Sequence, residues 1–212
     1  KLSLTKYFKS NNRPKSNCMS HIPLESHLPG ITGLLEYRKD TAVPIRDLTQ
    51  ILLRGPSTLS IGERELIASI VSHDNECKFC TTAHTAVTDF IFGDASISEK
   101  VKNNLETAPV SDKMKALLKI ARLVGQNGKN VTGESIEGAK KYGATDMEIH
   151  DTVLIASLFC LYNRYVDGLA THLPQNPNYF TDLAERLATK GYERTPEAYE
   201  KLKIDNGQYN KN

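Results

Sequence analysis

The chain has 212 residues, 27 Lys and Arg against 25 Asp and Glu, and a formal net charge of +2. That length suits one sizeable core, and the near-neutral balance gives no electrostatic case for a nucleic-acid partner. Four cysteines are too few for a disulfide scaffold and suit a reducing compartment, and no apolar run approaches the ~20 residues that span a bilayer.

Residues 1–29 carry Lys1, Lys6, Lys9, Arg13 and Lys15 with no acidic residue before Glu25. Without periodicity or the apolar core of a signal peptide, they read as a mobile basic arm of a cytoplasmic protein that needs no membrane. Pro29-Gly30 then open a short amphipathic helix, Ile31 to Tyr37. Pro44 stands where a first helical turn tolerates it, and Ile45, Leu48, Ile51 and Leu52 repeat at helical spacing until Gly55-Pro56. Ser60-x-x-Glu63 is a capping box that starts a helix from Ile61 to about Ser72. His73-Asp74-Asn75 breaks it, and a new helix carries Cys77 through Ile91.

Gly93 to Ser98 form a turn, and a short polar helix spans Glu99 to Leu105. Ser111 caps a helix with the stripe Met114, Leu117, Leu118, Ala121 and Val124, and a shorter helix follows from Gly133 to Tyr142. Thr145-x-x-Glu148 is a second capping box, opening a long apolar helix through Val153, Leu158, Phe159 and Leu161. A last helix, Tyr179 to Thr189, ends the domain at about residue 190, and 191–212 read as a polar tail. No segment alternates with period two, so the fold class is all-α. Leu66-Ile67-Ala68-Ser69 with Asn75 recurs as Leu154-Ile155-Ala156-Ser157 with Asn163, and the same offset carries His84 onto His172. Chance and a duplicated helical hairpin both account for this echo; a second copy would have Tyr165 and Gly168 in place of the thiols.

The chemistry concentrates between Glu65 and His84. On a helix Cys77, Cys80 and His84 fall at i, i+3 and i+7, on one face. A cysteine reacts as its thiolate. Cys77 at a helix start gains from unpaired N–H groups, and His84 four residues after Cys80 is placed as its base. These devices favour different cysteines, so the order of attack stays open. Glu65, on the preceding helix, orients His84 if the two helices pack as a hairpin. Structural zinc would need a fourth ligand, which the isolated Cys18 and Cys160 do not offer, and a thioredoxin-type C-x-x-C would follow a strand. A disulfide between Cys77 and Cys80 would add little constraint, which points to redox use.

The pattern E-x11-C-x2-C-x3-H, as Glu65, Cys77, Cys80 and His84, resembles the signature of AhpD-like alkylhydroperoxidases in the carboxymuconolactone decarboxylase superfamily. The stretches LLRGPSTLSIGERELIASIVSHDNECKFCTTAH and AxxxGATDMEIHDTVLIASLFCLYNRYVDGLA are similar to its peroxidase-related branch, and the likeness covers roughly Pro29 to Pro174. The resemblance implies an AhpD-like helical fold over residues 30–190, a homo-oligomer, and an antioxidant hydroperoxide reductase without metal or organic cofactor. It implies that Cys80 is the peroxidatic thiol activated by His84, that Cys77 resolves the sulfenic acid, and that Glu65 joins the proton relay. The small hydroperoxide and an external thiol or protein donor are the implied partners. Phe79 departs from members with a histidine before the second cysteine, a change that bears on peroxidase rate, with His73 as the nearest substitute.

Two rivals share the residues. A thiol–disulfide adaptor would use the same dithiol on a partner protein, and a lactone enzyme of the decarboxylase branch would need neither thiol. A structural or sensor protein would form the disulfide without turnover. Asn163, Arg164 and Asp167 read as a helix-end hydrogen-bond network or a substrate contact. His150 reads as structural, His21 and His27 as parts of the arm, and Cys160 as a small buried hydrophobe.

Overall fold

The computed structural model describes residues 20–194 and Ile204, and among them the regular structure is entirely helical. The α-helices are α1 (Ile31–Tyr37), α2 (Lys39–Arg54), α3 (Ile61–Asp74), α4 (Lys78–Phe92), α5 (Ile97–Asn103), α6 (Asp112–Gln126), α7 (Gly133–Lys141), α8 (Asp146–Gly168) and α9 (Tyr179–Lys190). A 3₁₀ turn, Gly128–Asn130, links α6 to α7.

Helix α3 is the axis of the fold. Every residue from Arg64 to Ser72 is buried, so it has no solvent face and packs against α4, α6 and α8. Leu66, Ile67, Ile70 and Val71 are fully buried, each worth about 1.5–3 kcal/mol of apolar transfer. The α6 stripe of Met114, Leu117, Leu118 and Ala121 covers one flank. Helix α4 runs back along α3 as a hairpin, and α9 closes over α4. Both sequence-level capping boxes form: Ser60 accepts from the Glu63 N–H while Glu63 accepts from the Ser60 N–H, and Thr145 and Glu148 do the same.

Several expectations shift. Helix α2 begins at Lys39, which places Pro44 inside it rather than in its first turn. Proline removes the bond to the carbonyl of Asp40, and Pro44 and Asp40 are both exposed, where solvent is at hand to satisfy that carbonyl. The break before Cys77 falls at Asn75–Glu76 rather than at His73, because Glu76 adopts φ 59 and reverses the chain there. Helix α5 starts at Ile97, two residues early, since Ile97 and Ser98 are buried.

The domain also extends past residues 30 and 190. Within 1–29, residues 20–29 are docked rather than forming an arm: Leu28 is fully buried and the His21 N–H donates to the Leu169 carbonyl. Residues 1–19, with most of the basic charge, lie outside the described residues. Gly30, at φ 58, sits directly under the Phe79 ring, where a Cβ would collide. Beyond α9, Gly191 turns at φ 69 and sends the Tyr192 N–H onto Gln50 Oε1 at 2.7 Å. The sequence echo does not make a second hairpin. Helix α8 runs unbroken through Asn163 to Gly168, and His172 follows it in an irregular stretch.

Candidate active site

Cys77 is the N-cap of α4 rather than a helical residue, with its N–H on the Ser72 carbonyl at 3.1 Å. Cys80 lies in the first turn of the same helix and His84 one turn later. Cys77, Cys80 and Cys160 are free thiols. Cys80 lines a partly open cavity of about 80 Å³ together with His84, Phe79, Phe159 and Tyr162, whereas Cys77, fully buried, is not among its lining residues.

His84 is held by a carboxylate. Its Nδ1 donates to Glu65 Oε2 at 2.7 Å, which leaves Nε2 free to accept a proton. The Phe159 ring meets the imidazole edge-on at 4.5 Å. Glu65 is fully buried and accepts three groups: His84, the Arg54 guanidinium at 2.6 Å and the Tyr192 hydroxyl at 2.6 Å. Burial alone pushes the Glu65 carboxyl up, but His84, Arg54 and Tyr192 together hold it below the ordinary value. Tyr192 is pushed well above its usual value, by burial first and then by the Glu65 charge, so it stays a donor.

The Cys80 thiol is pushed well above its ordinary value. The hydrogen bond with Cys77 acts most, then burial and the Cys77 charge, while Asn163 pulls the other way. Asp167 bonds Cys77 from the end of α8, its own carboxyl raised by burial. The thiolate therefore needs a proton acceptor beside it, and His84 is the imidazole on the same cavity wall.

The remaining candidates separate. Asn163 is buried and bridges two elements, accepting from Asn75 at 2.8 Å and donating to Ser72 at 3.0 Å, so it belongs to a hydrogen-bond network. Arg164 is exposed and donates to the Cys160 carbonyl. Cys160 is half-buried and accepts a hydrogen bond from Asn75 at 3.6 Å. His73 is exposed on Asp74 and does not line the cavity, so it does not stand in for the missing histidine; His150 is likewise exposed, against Asp151. Phe79 packs on Tyr179 and Phe180 at ring distances of 6.3 and 5.7 Å. Among the described residues no group of three or more His, Cys, Asp or Glu is gathered as a metal ion requires. No described helix is long and apolar enough to cross a membrane.

Arg54 and Tyr192, both bonded to Glu65, are members of the candidate site that the sequence pattern missed. Arg54 carried a weak signal as the last residue before the Gly55-Pro56 stop. Tyr192 carried one as an aromatic just past a helix-ending glycine, in a stretch read as tail.

No protein-family model and no curated protein matches the chain. Solved structures do. An uncharacterized peroxidase-related protein from Ralstonia eutropha JMP134, described as an alkylhydroperoxidase AhpD core, superposes with a TM-score of 0.65 at 25% identity, covering 72% of this chain and 79% of that one. An uncharacterized peroxidase-related protein from Silicibacter sp. TM1040 gives a TM-score of 0.64 at 25% identity, covering 68% and 75%.

Proposed function

Since the chain belongs to the AhpD-like superfamily, we propose that it is a thiol-dependent hydroperoxide reductase in which Cys80 attacks and Cys77 resolves. The observation that carries this is the asymmetry of the pair: Cys80 lines the cavity beside His84, and Cys77 lies behind it.

His84 Nε2 takes the Cys80 proton, and the imidazolium is stabilised through Nδ1 by the Glu65 carboxylate. The thiolate attacks the terminal oxygen of the hydroperoxide. The O–O bond breaks, the alkoxide takes the proton back from His84 and leaves as an alcohol, and Cys80 becomes a sulfenic acid. Cys77 attacks that sulfur, its proton leaves with the hydroxyl group as water, and the Cys77–Cys80 disulfide forms. An external dithiol then supplies two electrons and two protons and is itself oxidised to a disulfide. The Arg54–Glu65 ion pair and the Tyr192 hydroxyl keep the carboxylate charged and fixed.

The test is stopped-flow oxidation of reduced protein by an organic hydroperoxide, with the disulfide followed by mass spectrometry. Rapid oxidation is expected, lost in Cys80→Ser, with a sulfenic acid trapped on Cys80 in Cys77→Ser. Oxidation no faster than that of a free thiol would overturn the proposal.

A further inference from the structure

The His84–Glu65 pair provides for only one of the two thiols. Cys80 shares the cavity with His84, while Cys77 is fully buried and is not among the residues that line it. A carboxylate touches Cys77 instead: the Asp167 side chain hydrogen-bonds it from the last turn of α8. Asn163 stands four residues earlier, on the same face of that helix, and its amide bonds Cys80. One face of α8 therefore addresses both sulfurs, with an amide at Cys80 and an acid at Cys77.

The helix itself does not call for an acid here. Negative charge in a last turn meets the negative end of the helix dipole. That turn holds no basic residue, and among the described residues no cation is paired with Asp167. Arg164, one turn earlier, donates to the Cys160 carbonyl at 3.1 Å. The backbone is nonetheless held: the Asp167 carbonyl accepts the Ala170 N–H at 3.0 Å, where Ala170 at φ 48 turns the chain away. Asp167 is exposed as a residue, yet its carboxyl is desolvated enough beside the thiol to be raised above its ordinary value, a rise that the Cys77 bond opposes. A group with a buried thiol on one side and solvent on the other is placed to carry protons between them.

We propose that Asp167 is the acid–base partner of Cys77, carrying its proton to and from solvent as His84 does for Cys80. This rests on the reading of Cys80 as the attacking and Cys77 as the resolving thiol. In resolution the Asp167 carboxylate takes the Cys77 proton, the Cys77 sulfur bonds to Cys80, and the S–O bond of the sulfenic acid breaks. The hydroxide leaves through the cavity as water with a proton from solvent, and Asp167 returns its own proton to solvent. In regeneration a thiolate of the external dithiol attacks Cys80 and the S–S bond breaks. Cys77 departs as a thiolate and takes a proton from Asp167, itself reprotonated by solvent. The second thiol of the donor then displaces Cys80, which His84 protonates, and the donor leaves as a disulfide, two electrons poorer.

Two measurements test this, one with peroxide and one without. In the first, reduced protein is mixed with cumene hydroperoxide and quenched at intervals with dimedone, and mass spectrometry follows the Cys80 sulfenic acid and the disulfide. In Asp167→Asn the disulfide should form about 10²-fold more slowly, so that sulfenic acid accumulates with Cys77 intact. Loss of the Cys80 thiol should instead quicken slightly, because the Asp167 charge holds that thiol up. Asp167→Glu, which keeps the acid, should recover part of the second step. Equal slowing of both steps would make Asp167 a structural residue, and an unchanged second step would remove it from the chemistry; either result overturns the proposal.

In the second, the Cys77–Cys80 disulfide is made with diamide and reduced with dithiothreitol, so that no peroxide is involved. Asp167→Asn should slow this reduction about tenfold or more, since Cys77 leaves without its acid. Equal rates in the wild type and Asp167→Asn would overturn the role of Asp167 while leaving the peroxidase reading in place. A reduction that depends on Asp167, in a protein that the hydroperoxide oxidises no faster than a free thiol, would do the reverse: Asp167 stays the partner of Cys77, and the peroxidase reading is rejected.

Discussion

Leu66–Asn75 and Leu154–Asn163 share a Leu-Ile-Ala-Ser opening and a closing asparagine, yet one ends in a turn and the other continues as helix. After Asn75 the chain enters Glu76 at φ 59 and Cys77, an N-cap; after Asn163 it runs straight on to Gly168. The central pair packs alike, Ile67 and Ala68 being buried as are Ile155 and Ala156, while Leu154 is half-buried and Ser157 exposed where Leu66 and Ser69 are buried; α3 lies against α8. The two asparagines even meet, with Asn75 donating to Asn163. Helix vocabulary therefore sets where a segment packs, while the residues after it set where the chain goes. The reactive set follows the turn: Glu65, Cys77 and Cys80 have Val153, Tyr165 and Gly168 as counterparts.

Converting the first segment toward the second is the most severe way to break the comparison. Glu65→Val copies the counterpart residue and removes the acceptor of Arg54, His84 and Tyr192. Arg54, its side chain only 7% exposed, would be left as an uncompensated charge. A loss of about 3–5 kcal/mol in denaturant unfolding is expected. The same carboxylate makes stability depend on acid. Its folded pKa lies below the ordinary 4.5. Its contribution is therefore complete above that value and is lost as pH falls through the folded pKa. Glu65→Val should show a flatter acid limb than the wild type, and parallel limbs would count against this assignment.

Next in size is the chemistry. His84→Gln keeps a polar side chain at the cavity and removes the base, so Cys80 oxidation should slow about 10²-fold. Because the Cys80 thiol titrates well above its usual value, the wild-type rate should climb with pH through neutrality and past pH 9. A plateau below neutrality would show that the thiolate forms by another route.

The limits of the linear pattern follow from where each interaction comes from. Capping boxes, the α6 stripe and the Cys77–His84 spacing are local, and each was legible because partners within a turn share one face. Glu65 was legible because it lies on the neighbouring helix of a hairpin. Arg54 and Tyr192 were not: Tyr192 meets Glu65 across 127 positions, a contact fixed only when α9 closes over α4. The start of α2 was missed because Pro44 reads as a first-turn residue, whereas with Asp40 and Pro44 both exposed it is tolerated inside the helix. Leu28 was missed because Ile22, Leu24 and Leu28, interrupted by Pro23 and Pro29, are too few to establish a period.

The seam between the two segments is the third place to press. Asn163→Ala deletes the acceptor of Asn75 and the donor to the buried Ser72. A cost of about 1–3 kcal/mol is expected, measured by equilibrium unfolding. The same change removes the amide that pulls the Cys80 thiol down, so the rate of Cys80 oxidation at neutral pH should also fall. A stability loss without a rate change would make Asn163 a packing residue only.

The smallest effect tests the turn itself. If the left-handed residue between α3 and the N-cap is what separates the first segment from the second, its strain belongs to Glu76, which adopts φ 59 with its side chain exposed. A non-glycine residue there costs roughly 1–2 kcal/mol, and glycine occupies the region freely at some expense in unfolded-chain entropy. Glu76→Gly should therefore raise stability, by about 1 kcal/mol or less. The turn would be kept, and with it Cys77 at the N-cap and an unaltered oxidation rate. A valine at the same position should do the opposite, because a β-branched residue resists positive φ. Matched stability in both variants would mean that the turn is imposed by the packing of α4 on α3. In that case the asymmetry between the two segments would lie in the helices and not in the residue that joins them.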